Sequence, residues 1–150
     1  MNQKATTIRK TFSRETSVHA SIAADPAIVW ALLTHAADYP RWNSTVTSIQ
    51  GEIKAGASIE LKSTLDPKRT FKLKVKEFVP KKRLVWGDAM GSRVYSLENS
   101  GSGTQFSMSE RIGGPLFPLF AGMIPPFDES FDKFTADLKK EAETIQRSKK

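Results

Sequence analysis

Cysteine is absent from the 150 residues. That excludes disulfides and thiolate metal sites, and it fits a reducing compartment. Histidine is nearly as scarce. His19 and His35 stand far apart and neither has a ligand-type partner at helical spacing, so no metal site is expected. No apolar run approaches the roughly 20 residues of a membrane-crossing helix, and no transmembrane segment is expected. The opening stretch MNQKATTIRKTFSRE lacks the apolar core of a secretory signal, which makes the cytoplasm the expected location. Phosphate-binding glycine loops, dinucleotide fingerprints and the G-x-S-x-G elbow are missing too, and no cofactor is expected. Repeats at solenoid period are also absent.

What is present suits one globular domain with a single core: 39% hydrophobic and 26% charged residues leave enough apolar material for an interior. The formal net charge of +7 raises the question of an anionic partner. The strongest local signal is a helix over Pro126 to Gln146. Phe127, Phe131, Phe134, Leu138, Ala142 and Ile145 recur at steps of three and four and share one face. Asp128, Glu129 and Asp132 near its start and Arg147, Lys149 and Lys150 past its end suit the helix dipole.

The rest reads mostly as strands that need a cover. Residues 1–13 are polar and basic and are expected to be flexible; the domain is expected over 14–147. Arg14 to Ile22 is the first expected strand. Asp25-Pro26 opens a short helix carrying Ile28, Val29, Leu32 and Leu33, and Asp38 to Asn43 forms a further turn or one-turn helix. Six strands follow: Thr45–Ile53, Ala57–Leu65, Thr70–Val79, Arg83–Trp86, Ser92–Glu98 and Thr104–Ile112. The third of these is the clearest, because Phe71, Leu73 and Val75 alternate with Lys72, Lys74 and Lys76. Gly101-Ser102-Gly103 lies in a hairpin loop. The apolar, proline-rich stretch from Gly113 to Pro126 reads as a loop or short helical lead into the final helix. The expected class is α+β: a seven-stranded antiparallel sheet wrapped around a long C-terminal helix, with two short helices between strands one and two. A sheet that broad under one helix encloses space, so a pocket between them is expected.

Four phrases carry a resemblance: Ala24-Asp25-Pro26-Ala27-Ile28-Val29-Trp30, Tyr39-Pro40-Arg41-Trp42-Asn43, Arg83-Leu84-Val85-Trp86, and Gly103-Thr104-Gln105-Phe106 running to Glu110. In this order and spacing the chain resembles the START-like (SRPBCC) superfamily with the helix-grip fold, in its polyketide cyclase/dehydrase and lipid-transport branch. The resemblance spans about Arg14 to Ile145. It implies a cavity between sheet and helix, in a fold that serves carriers, receptors, cyclases and chaperone regulators alike. Two departures fall near the expected cavity mouth. Arg93 stands where the family often has histidine, and Pro125-Pro126 interrupts the lead into the last helix.

Three groups of candidate residues follow. The expected cavity lining is Ile59, Leu61, Phe71, Leu73, Val75, Trp86, Tyr95, Phe106 and Met108 on the sheet, Phe127, Phe131 and Phe134 on the helix, and Met123 and Ile124 before it. Plain core packing is the alternative for each of them. Arg93, Tyr95 and Glu110 are polar groups on the apolar face. They could orient a ligand, or Glu110 and Tyr95 could serve as general acid and base; a structural Arg93–Glu110 ion pair is the alternative. The basic residues Lys72, Lys74 and Lys76 could make a weak contact with an anionic surface, or simply form a solvated outer face. Aromatics are not interleaved among them, so no specific nucleic-acid partner is expected. The expected function is binding of a small hydrophobic or lipid-like molecule, as carrier or sensor. A cyclase- or dehydratase-like enzyme and a protein-interaction module using the basic face are the alternatives.

Overall fold

A computed structural model describes residues 3–149. Its strands are β1 (Gln3–Arg9), β2 (Ser13–Ile22), β3 (Val46–Gln50), β4 (Ser58–Ser63), β5 (Phe71–Val79), β6 (Arg83–Gly87), β7 (Gly91–Asn99) and β8 (Thr104–Gly113). They form one antiparallel sheet in the order β1-β2-β8-β7-β6-β5-β4-β3. Helices α1 (Pro26–Thr34) and α2 (Tyr39–Trp42) separate β2 from β3, and α3 (Phe117–Phe120) leads to the long α4 (Asp128–Ser148).

The sheet has eight strands, one more than expected. Gln3–Arg9 falls within the segment expected to be flexible, yet it pairs with β2, with Thr7 opposite Thr16. This strand has little apolar alternation of its own. Its support comes from α4: Ala5 N donates to Asp132 Oδ1 at 2.8 Å, and Thr7 Oγ1 donates to Asp128 Oδ1 at 2.5 Å. Met1 and Asn2, also expected to be flexible, lie outside the described residues.

Helix α1 starts as its sequence dictates. Asp25 caps it by accepting from Ala27 N at 2.8 Å, and Pro26 occupies the first turn, where its missing N–H costs nothing. Helix α4 starts two residues later than expected. Pro125 and Pro126 both precede it, and Phe127 stands at its N-cap position without a side-chain cap. Asp128 and Glu129 in the first turn oppose the positive end of the dipole. Its inward face is the expected one: Phe131, Phe134, Leu138 and Ala142 are buried.

Strand β5 contains a device that its alternation hides. Val75 pairs with Trp86 but Glu77 pairs with Val85, so Lys76 is an extra residue in a bulge. Before the bulge the odd residues Phe71, Leu73 and Val75 turn inward. After it Phe78 does, meeting Trp30 of α1 edge-on at a centroid distance of 5.2 Å. The lysines at 72, 74 and 76 are all exposed.

The core lies between the concave face of the sheet and α4. Trp86, Tyr95, Phe106, Met108, Phe131 and Phe134 are each at most 2% exposed. Removing such side chains from water stabilises the fold by about 1.5–3 kcal/mol apiece. Tyr39 and Trp42 of α2 close one end of this layer against Phe134, at 6.4 and 5.8 Å. Tyr39 also donates its hydroxyl to Leu33 O at 2.7 Å.

Candidate functional site

The opposite end of the layer is not filled. A cavity of about 180 Å³ opens there between β4–β8 and the segment leading into α4. Leu61, Phe71, Leu73, Trp86 and Ile112 form its apolar sheet wall, and Ile124, Pro125 and Phe127 its helical side. Met123 stands at the mouth, 79% exposed. Arg69 lies at the mouth as well, its guanidinium 4.6 Å over the Phe71 ring.

One charged pair stands in the sheet wall, beside the hydroxyls of Ser63 and Ser92. Arg93 on β7 and Glu110 on β8 are direct cross-strand partners, which brings their side chains together on the inward face. Arg93 Nε donates to Glu110 Oε1 at 2.6 Å, with the two side chains 15% and 19% exposed. Burial disfavours the guanidinium charge, but the Glu110 carboxylate outweighs it, so the Arg93 pKa is raised. The guanidinium also lies 5.0 Å over the Phe131 ring. Two registers further along, Tyr95 is wholly buried, and its hydroxyl has no partner within hydrogen-bond geometry. Burial pushes its pKa up to about 12 although the nearby Arg93 charge opposes the rise. At neutral pH it is therefore a phenol that can donate but not act as a base.

Of the expected lining residues, the structure brings Leu61, Phe71, Leu73, Trp86, Arg93, Glu110, Met123, Ile124 and Phe127 to the cavity. Tyr95, Phe106, Met108, Phe131, Phe134 and Val75 are packed into the solid part of the core, and Ile59 is buried as well. The reason is volume. The rings of Phe134, Tyr95 and Trp86 interlock at 5.1–5.8 Å and fill the layer from α2 as far as Trp86, which borders the cavity.

Arg14 is the residue that sequence reasoning missed. It is 4% exposed and points inward from β2. Its terminal nitrogens donate to Ile124 O at 3.2 Å and Pro125 O at 2.8 Å, and its guanidinium lies 4.8 Å over the Phe127 ring. Burial and the neighbouring Arg9 lower its pKa, partly offset by Glu110 and Asp128. Phe127 in turn stacks on Phe131 at 6.1 Å, with the ring planes 6° apart. The result is a ladder running Arg14, Phe127, Phe131, Arg93, of which Phe127 and Arg93 line the cavity. The signal was available: Arg14 shares the even-numbered face of β2 with Thr16, Val18, Ala20 and Ile22, all buried.

A sequence model of one family, described as polyketide cyclase / dehydrase and lipid transport, matches residues 13–143. The chain belongs to that family. The match runs from β2 into the last turns of α4 and so takes in the whole cavity. No curated protein matches this family member by sequence. Solved structures resemble its fold. One from Rhodobacter sphaeroides is 19% identical, with 93% of this chain and 97% of that one covered and a TM-score of 0.65. A conserved protein of unknown function from Enterococcus faecalis is 18% identical, with 95% and 78% covered and a TM-score of 0.65. A START superfamily protein from Mycobacterium smegmatis is 14% identical, with 87% and 98% covered and a TM-score of 0.61. The helix-grip fold is thus shared with START proteins. Family and fold together suggest a hydrophobic ligand-binding or cyclase-like protein. Among the described residues no helix is long and apolar enough to cross a membrane, and no group of three or more His, Asp or Glu could hold a metal ion.

Proposed function

We propose that this protein binds a small, mainly apolar molecule in the cavity between the sheet and α4, as a carrier or sensor. The observation that carries this reading is the composition of the cavity wall: Leu61, Phe71, Leu73, Trp86, Ile112, Ile124 and Phe127 line it around the partly buried Arg93–Glu110 pair, with further polar side chains such as Asp66, Arg69 and Asp88 completing the lining. Apolar burial would supply the affinity. Arg93 spends Nε on Glu110, and its terminal nitrogens would orient a carbonyl, carboxylate or phenol oxygen of the ligand. The segment from Gly113 to Pro126 would cover the bound molecule.

A cyclase- or dehydratase-like enzyme is the second reading, favoured by the presence of the Glu110 carboxylate on the cavity wall. Holding a folded chain in a reactive conformer would then do much of the catalytic work. Tyr95 is poorly suited to share it, being buried away from the cavity. The weak anionic contact proposed for Lys72, Lys74 and Lys76 rests on their shared exposed face.

Native mass spectrometry of protein from its own host, followed by denaturing extraction, tests the first reading. Release of a defined apolar molecule near one-to-one is expected. An empty protein that also takes up none of a broad panel of hydrophobic probes would refute it. Glu110→Gln separates the two readings: a carrier keeps its ligand, whereas an enzyme keeps binding and loses rate.

A further inference from the structure

The segment between β8 and α4 leaves three of its large apolar side chains in solvent. Leu116 is 64% exposed and Leu119 and Met123 are each 79% exposed, while Phe117 turns inward against Phe120. Two neighbouring turns add to the same surface. Gly114 N donates to Phe12 O at 3.0 Å, and Gly113 N donates to Met90 O at 2.9 Å. The β1–β2 and β6–β7 turns are thereby tied to the start of the segment, and each presents an exposed apolar side chain, Phe12 and Met90. Of the seven large hydrophobics exposed among the described residues, only Ile8 and Val79 lie elsewhere. Scattered apolar side chains are normal on a protein surface; a concentration at one end is not.

The charge around this patch has one prevailing sign. Lys10 lies in the same turn as Phe12. Lys76 reaches into the β6–β7 turn, its Nζ 3.4 Å from Asp88 O and 3.0 Å from Ser92 Oγ. Arg111 shares a surface groove with Phe12, Met90 and Pro115, and Arg69 shares the cavity mouth with Met123. The carboxylates facing these groups are Asp66, Asp88 and Glu15, the last opposite Arg111 across the β2–β8 ladder, and Asp88 Oδ1 is engaged with the backbone N–H groups of Met90 and Gly91.

We propose that this end of the molecule docks on the surface of a bilayer containing anionic phospholipid. Leu116, Leu119 and Met123 enter the acyl-chain boundary, and Lys10, Arg69, Lys76 and Arg111 lie over the headgroups. A second copy of the chain fits the patch less well, because two-fold pairing would set one cationic rim against the other. A partner helix fits it less well too: α3 is a single turn, and Leu119 projects outward from it while Phe117 turns inward. The proposal goes beyond the ligand reading and stands without it. Where both hold, the cavity mouth beside Met123 faces the acyl chains.

Co-sedimentation of the full chain with vesicles tests this, using phosphatidylcholine alone and phosphatidylcholine mixed with phosphatidylglycerol. Binding to the mixed vesicles that weakens with salt is expected. The double variant Leu116→Asp/Leu119→Asp should reduce it by at least about tenfold. Those two side chains line no part of the cavity, so uptake of an apolar dye should be unchanged, which also shows that the variant is folded. In Leu119→Trp, the new indole emission should shift to the blue on vesicles and be quenched by brominated lipid. Three results would overturn the proposal. Wild-type protein could fail to bind mixed vesicles at low salt. Binding could survive the Asp variants but vanish in Lys72→Glu/Lys74→Glu, which would put the contact on the sheet face. Or the Asp variants could abolish self-association in sedimentation while vesicles stay unbound, which would make the patch a contact between copies.

Discussion

Removing the charge of Glu110 while keeping its shape isolates the polar pair in the cavity wall. In Glu110→Gln the Arg93 guanidinium would stay in place, still over Phe131 but facing a neutral amide. Breaking a fully buried ion pair costs about 3–5 kcal/mol, most of it from the charge left behind. Here the partners are 15% and 19% exposed, so water at the cavity reaches them and the cost falls to about 2 kcal/mol. For a chain of this length that is a loss of roughly 4–8 °C in Tm. A cycle of Arg93→Met, Glu110→Met and the double variant, followed by urea unfolding, measures the coupling directly. Each single variant should be clearly destabilised, and the double should recover most of the loss because two methionines are content in an apolar wall. Single losses that simply add, within about 0.5 kcal/mol, would show that the pair is not coupled.

Three further outcomes are expected. Leu138→Ala, at a position with no exposure on the inward face of α4, should cost about 2–5 kcal/mol by leaving a hole; chemical denaturation measures it. Arg14→Met removes both donors to Ile124 O and Pro125 O and should speed amide exchange in the segment before α4 more than in the sheet, as read by hydrogen-exchange mass spectrometry. For pH, burial works to raise the Glu143 pKa, but the Ala23 N–H and the Lys139 ammonium overcome it, leaving it below its ordinary 4.5. A depressed folded-state pKa gives stability that is fully present above the unfolded value and is lost as pH falls through the folded one. Glu143→Gln should therefore flatten the fall in Tm below about pH 4.5 and leave its slope near neutrality unchanged.

The parts of the fold that were legible in the sequence rest on local periodicity. Phe71, Leu73 and Val75 against three lysines, and Phe131, Phe134, Leu138 and Ala142 at helical spacing, each identify an element and its inward face without help from the rest of the chain. Strand β1 was not legible because it has no such pattern. Its ties are to the Asp128 and Asp132 carboxylates, more than a hundred residues away in the chain. The candidate site was legible as a set of inward faces and as a cross-strand Arg93–Glu110 pair. Which inward residues meet empty space was not, because that depends on how the rings of Trp42, Trp86, Tyr95 and Phe134 fill one half of the layer. Alternation says which side a residue faces and nothing about how much room is left there.

The bulge at Lys76 gives an exposed lysine a role that its side chain does not reveal. It is the residue that the ladder does not count. Deleting it would join Val75 directly to Glu77, and plain alternation would then keep Val75 and Phe78 inward and Glu77 outward. Pairing Lys76 as an ordinary strand residue would do the opposite: either Phe78 would leave Trp30 and turn to water, or Phe71 and Leu73 would leave the cavity and lysines would enter it. The strand can thus lose this residue more easily than it can lose the bulge that sets it aside.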